Sequence, residues 1–184
     1  MDKKNRWINE LNAVTEAVTK DFGILSSEIL LLKANPNEWS ISENLDHLIK
    51  VNSSYFPIFK KLKNGTFRGA FIGKFGFFTK MFGDMIYKSV SDGGKKKIKT
   101  FPLWEPNLAT SSGNILDQFK SHQAELIDWI TQMAPFIDSK AIIHSPANKL
   151  IVYTLEKAFE IIVAHEKRHL EQAKRVLTKI QDQI

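Results

Sequence analysis

The 184-residue sequence predicts an all-α protein, a four-helix bundle, and three observations carry that expectation. Four long segments repeat apolar residues at alternating spacings of three and four, the signature of one buried helix face. One of these segments opens on a complete helix-start signal. No strong strand signal interrupts them, and amphipathic helices without a sheet bury their apolar stripes against one another.

The first segment carries Trp7, Leu11, Val14, Val18, Phe22, Leu25, Ile29 and Leu32 on one face and ends at Asn35-Pro36. Its spacing predicts one long helix through Leu32. The second begins at WSISENLDHL, where Ser40 followed three residues later by Glu43 makes a capping box. Hydroxyl and carboxylate each satisfy a free backbone N–H. The stripe then runs Ile41, Leu45, Leu48, Val51, Tyr55, Ile58 or Phe59, and Leu62, until Asn64-Gly65 stops it. A third helix is read from about 110 to 134, with Leu116, Phe119, Leu126, Trp129, Ile130 and Met133 inward and Pro135 behind it. The fourth runs from Thr154, an N-cap, to near the C-terminus, with Leu155, Ala158, Ile162, His165, His169, Gln172 and Val176 on its stripe.

The connection from 65 to 108, between the second and third helices, is too long for a bundle loop and has its own composition. Phe67, Phe71, Phe75, Phe77, Phe78 and Phe82 suggest packing as one or two short helices, and SDGGKKKIK reads as an exposed turn. A lid over the bundle is the preferred reading, ahead of a segment lying on an anionic membrane surface. The exposed aromatic content is compatible with a homodimer.

Length favours a single domain spanning 1–184. The chain has no cysteine, which excludes disulfides, thiolate ligands and a cysteine nucleophile of its own. No run of about 18 apolar residues is present to span a bilayer, and the N-terminus MDKKNRWINE lacks a secretory apolar stretch. A soluble cytoplasmic protein is expected. The net charge of +6 is unevenly placed: residues 60 to 99 hold eleven Lys or Arg against Asp84 and Asp92, which leaves the rest of the chain at −3. A basic character confined to one connection does not make a duplex-binding face, so no nucleic-acid partner is expected.

Residues 165 to 169, His-Glu-Lys-Arg-His, match the zinc-protease string HExxH. The two histidines take consecutive inward positions in the last stripe, where aliphatic side chains otherwise recur. Stacked imidazoles in an apolar seam are costly unless their nitrogens are satisfied, and one turn of helix brings both within reach of one metal ion. Core histidines bonded to carboxylates or water are the competing reading. His47, at the edge of the second stripe, is the candidate third ligand. His122 is a further candidate near the inward side of the third helix, and His144 reads as a loop residue. Glu166, rotated about 100° from the inward direction, is expected at the margin of the seam. With no third ligand in protease order and no convincing strand to align a peptide, protease chemistry is a minor alternative.

WSISENLDHL and HEKRHLEQ together resemble the W-S-x-x-E-x-L-x-H-L and H-x-x-x-H-x-x-Q motifs of the DinB/YfiT-like superfamily, over roughly residues 8 to 178 in helix order. The resemblance implies a bundle whose histidines, by position His47, His165 and His169, hold a divalent metal at one end of a pocket. It also implies chemistry of the kind found in members that transfer small bacterial thiols such as bacillithiol or mycothiol. The Phe-rich basic connection departs from the family pattern.

Three neutral imidazoles leave an ion its full charge and an open position, so a bound water or thiol would lose its proton near neutral pH. The ligand set suits Zn, Ni, Fe or Mn. The expected function is a metal-dependent transferase activating a low-molecular-weight thiol toward a small electrophilic substrate. The alternatives are a metal-dependent hydrolase and a non-catalytic metal-binding or stress-related interaction protein. Gln172 and Glu43 are candidates for orienting the histidines, although the capping box is the more natural role for Glu43.

Overall fold

A computed structural model describes residues 2–93, 99–107 and 115–182. The start of the predicted third helix and the run Lys95–Lys97 of the basic turn lie outside the described residues. Among the described residues the regular structure is helical apart from one short hairpin. Helix α1 spans Lys3–Phe22, α2 Ser27–Leu31, α3 Ile41–Ser53, α4 Phe56–Lys63, α5 Gly76–Val90, α6 Ile115–Gln132, α7 Ala134–Asp138 and α8 Leu155–Gln181. Single 3-10 turns occupy Phe71–Lys74 and Pro102–Trp104.

The bundle is built by α1, α3, α6 and α8. Both α6 and α8 pack against both α1 and α3, which places α1 diagonally across from α3. One apolar cluster gathers Trp7, Leu11, Phe59, Leu126, Phe159 and Ile162; a second gathers Val18, Phe22, Leu45, Phe119, Leu170 and Val176. Near the change from one cluster to the other, α3, α6 and α8 each contribute a buried polar residue: Asn52, Gln123 and Glu166.

Local chemistry explains the boundaries. Ser40 Oγ accepts the Glu43 backbone N–H at 3.1 Å while Glu43 Oε2 accepts that of Ser40 at 2.8 Å, so the expected capping box forms. Thr154 Oγ1 accepts the Lys157 N–H at 3.1 Å and starts α8 where expected.

Two expected helices are each divided. The first stops at Gly23, a poor helix former, and Ser26 caps the separate turn α2. The expected register does not survive that break: Leu25 still packs against the core, but past Gly23 it is Leu30 that is buried, while Leu32, expected inward, is 46% exposed. The second stops at Ser53 and restarts at Phe56. Pro57 supplies the reason, since it has no N–H to give to the carbonyl four residues back and its ring crowds that carbonyl.

The expectation of no convincing strand is also corrected. β1 (Ile142–His144) and β2 (Val152–Thr154) pair antiparallel, with Ile143 opposite Tyr153 and His144 opposite Val152. The hairpin ends directly on α8 and fixes the start of that helix. In the Phe-rich connection, α5 packs along α8 and β2 on the outside of the bundle. The following stretch returns over α3, where Lys50 Nζ donates to the Glu105 carbonyl at 3.0 Å and the Asn107 N–H donates to Asp46 Oδ2 at 2.9 Å. Among the described residues, no helix is long and apolar enough to cross a membrane.

Candidate metal centre

The capping box that opens α3 sets the rotation of the residues behind it. Asn44 and His47, one turn apart, face α8, where His165 and His169 are likewise one turn apart. One coordinating nitrogen from each of the three histidines lies within 4.8 Å of the others. His165 Nε2 stands 3.0 Å from His169 Nε2 and 3.3 Å from His47 Nε2. Two imidazoles on one tetrahedral ion, each at about 2.0–2.1 Å, put their nitrogens roughly 3.3 Å apart. The observed spacings therefore fit the donor set of such a site.

Hydrogen bonds on the far side of the rings decide which nitrogens carry protons. His47 Nδ1 lies 2.7 Å from the Trp104 carbonyl oxygen, which can only accept, so Nδ1–H donates. His169 Nδ1 lies 2.9 Å from Asn44 Oδ1, and Asn44 Nδ2 in turn donates to the Ser40 carbonyl at 2.9 Å, which orients the amide. His169 Nδ1–H therefore donates as well. Both neutral rings then present bare Nε2 lone pairs toward His165 Nε2. A proton on His165 Nε2 satisfies one of them; a divalent cation satisfies all three.

The electrostatics keep these rings uncharged. Burial holds His47 down at about 4, against the opposing pull of the Trp104 carbonyl. His165 and His169 lie well below the usual imidazole range, first through burial and then through their histidine neighbours and Arg168. Neutral imidazole is the form that ligates a metal. Trp39, from the same WSISENLDHL stretch, closes one side of the site, with its ring 4.7 Å from that of His47 and 5.7 Å from that of His169, stacked on the latter.

The other candidates sit elsewhere. Glu43 holds the cap and pairs with Lys33 at 2.9 Å, and among the described residues no hydrogen bond joins Glu43 or Gln172 to a ring of the triad. His122 lies against α3 away from the triad, its ring stacked on Phe56 and its Nδ1 3.5 Å from Ser53 Oγ. His144 lies in β1, stacked on Phe67.

Glu166 is not at the margin of the seam. It is fully buried, and its carboxylate accepts hydrogen bonds from Asn52 Nδ2 at 2.6 Å and Gln123 Nε2 at 2.8 Å. The 100° rotation was correct, but the turn carries the side chain into the bundle interior rather than toward solvent. Burial raises it to about 7 despite those two donors. Sequence reasoning also passed over Asn44, Trp39 and the Trp104 carbonyl. The first two stand inside the quoted motif, where Asn44 is the turn before His47; nothing in the sequence marks a backbone carbonyl brought in by a distant strap.

A family model described as the DinB superfamily matches residues 10–173. Among solved structures the chain is similar to YfiT from Bacillus subtilis, described as a probable metal-dependent hydrolase with an unusual four-helix bundle topology. The TM-score is 0.59 at 16% identity, covering 97% of this chain and 87% of that one. At that identity the likeness is one of fold. A search of curated proteins finds no match.

Proposed function

The chain belongs to the DinB superfamily, and from that premise we propose that it is a divalent-metal-dependent enzyme that activates a small thiol for transfer to an electrophilic substrate. The observation that carries this reading is the convergence of three imidazole Nε2 atoms, two of them held bare by their own Nδ1–H donors. His47, His165 and His169 would hold a divalent ion, which would supply Lewis acidity sufficient to lower the pKa of a bound water or thiol toward neutrality.

The protein's own contributions are positional. The Trp104 carbonyl and Asn44 hold the rings of His47 and His169 at fixed angles, and Trp39 keeps solvent from one side of the site. Glu166, the base that an HExxH protease would use, has both carboxylate oxygens engaged by Asn52 and Gln123 inside the bundle. This supports a thiol over a water as the nucleophile. A free thiol ionises at about 8.5 and needs only a modest shift to attack as thiolate, whereas hydrolysis by the HExxH route uses a carboxylate to take up and deliver the proton of the attacking water, a role Glu166 is not placed to fill.

Metal-dependent hydrolysis is the second reading, favoured by the description of YfiT as a probable metal-dependent hydrolase. Incubation of the zinc- or nickel-loaded protein with a small thiol and a panel of electrophiles, in parallel with model esters and amides, separates the two. Thiol consumption that depends on both metal and His169 supports transfer. Ester or amide cleavage with no thiol consumption overturns transfer in favour of hydrolysis.

A further inference from the structure

Helix α5 is amphipathic in the inverse sense. Toward α8 and β2 it turns small residues, Thr79 and Gly83, and a β-carbon at Gly83 would meet Lys157 Cγ at 2.7 Å and Tyr153 Cβ at 3.3 Å. Ile86 also packs against the core, and Phe78 and Phe82 are half-buried, but a further set of large apolar side chains points the other way. Phe77, Met81 and Met85, spaced four apart, form an outward stripe with Phe77 at 72% exposure, and Phe71, one turn of chain earlier, is 70% exposed. The rings are continuous: Phe71 meets Phe75 at 5.7 Å, Phe75 meets Phe78 at 6.3 Å, and Phe78 meets both Phe77 and Phe82. Scattered exposed apolar residues carry no meaning, but a contiguous aromatic patch marks a surface that meets something apolar.

We propose that the outer face of α5 is a docking surface for an anionic lipid membrane. Charge selects this occupant. The stretch from 60 to 99 carries eleven basic residues against two acidic ones, and Lys60, Lys61, Arg68, Lys88 and Lys99 are exposed. Lys88 lies on the same outward face, three residues after Met85 and seven after Met81. A second copy of the chain meeting this face across a two-fold axis would bring two strongly positive stretches together, whereas an anionic headgroup layer attracts them. Phe and Met side chains then enter the acyl boundary while the lysines stay at headgroup level, the geometry of an interfacial helix that does not span.

The test is co-sedimentation of the full chain with phosphatidylglycerol vesicles and, separately, with phosphatidylcholine vesicles, alongside light scattering of the protein alone. The expected result is binding to the anionic vesicles, weak binding to the neutral ones, and a loss of about tenfold or more on raising salt to ~0.5 M or in a Phe77→Glu/Met81→Glu variant. Ile24→Glu, at a still more exposed apolar residue outside the α5 face, leaves binding unchanged. If the Glu variant loses helical circular dichroism, Phe71→Ser/Phe77→Ser takes its place, with the same loss expected. Absence of sedimentation with phosphatidylglycerol overturns the proposal. So does binding unaffected by the α5 substitutions, or a dimer in solution that those substitutions dissolve.

Discussion

Asn44 Oδ1 accepts the Nδ1–H of His169 at 2.9 Å, and the same amide is oriented by its donation to the Ser40 carbonyl. The helix cap of α3 and the ring orientation of His169 are thereby one connected unit. Replacing Asn44 with Leu removes the acceptor that selects the Nε2-bare tautomer. Metal affinity is expected to fall about 10–100-fold with the bundle intact. Competition with a chromophoric chelator measures it; unchanged affinity would show that Asn44 does not set the ring.

Glu166 ties α8 to Asn52 of α3 and Gln123 of α6. Glu166→Leu leaves the side-chain amides of Asn52 and Gln123 buried without their acceptor, and a destabilisation of about 1–3 kcal/mol is expected in urea unfolding. Metal stoichiometry stays at the wild-type value. The opposite pattern, full stability with activity abolished, would return Glu166 to the general-base role that the HExxH string suggests.

His122 contributes one part of the pH dependence, in the same direction as the three buried histidines of the metal-free site and against Glu166, whose raised value acts in the opposite sense. Burial holds His122 at about 4, against an ordinary value of 6.5, so between those limits the unfolded chain binds a proton that the folded chain does not. Stability therefore rises with pH through that window and is lost as pH falls through it, by about 3 kcal/mol in all from this group. Urea unfolding of the metal-free protein at pH 7.5 and 4.5 measures the loss, and His122→Leu is expected to shrink it. An identical pH dependence in the variant would remove His122 from the account.

The readable parts of the sequence were those governed by local chemistry. Ser40–Glu43 and Thr154 are contained within single helix turns, and the helices begin at both. His165 and His169 stand out because the fourth stripe places histidine where aliphatic residues otherwise recur; His47, at the edge of the second stripe, is singled out by that pair and by the LDHL motif. Apolar spacing failed where backbone chemistry overrides it: at Gly23, past which Leu30 rather than Leu32 is buried, and at Pro57, where the stripe runs on through a broken helix. The hairpin was signalled by the β-branched runs AII and LIVYT around SPAN, too short for periodicity to register. The depth of Glu166 was not legible, because only the packing of α3 and α6 around α8 turns that side of the helix inward. Nor was the outward direction of the Phe-rich helix, which follows from the small residues Thr79 and Gly83 seating it against Lys157 and Tyr153.

Metal content of protein purified without a metal-affinity tag tests the central claim most directly. After equilibration with zinc or nickel and removal of free ion, the wild-type chain is expected to retain close to one equivalent by elemental analysis. His47→Ala and His169→Ala, each with helical circular dichroism preserved, are expected to retain almost none. Full metal content in either variant, or none in the wild type, would contradict a site built from His47, His165 and His169.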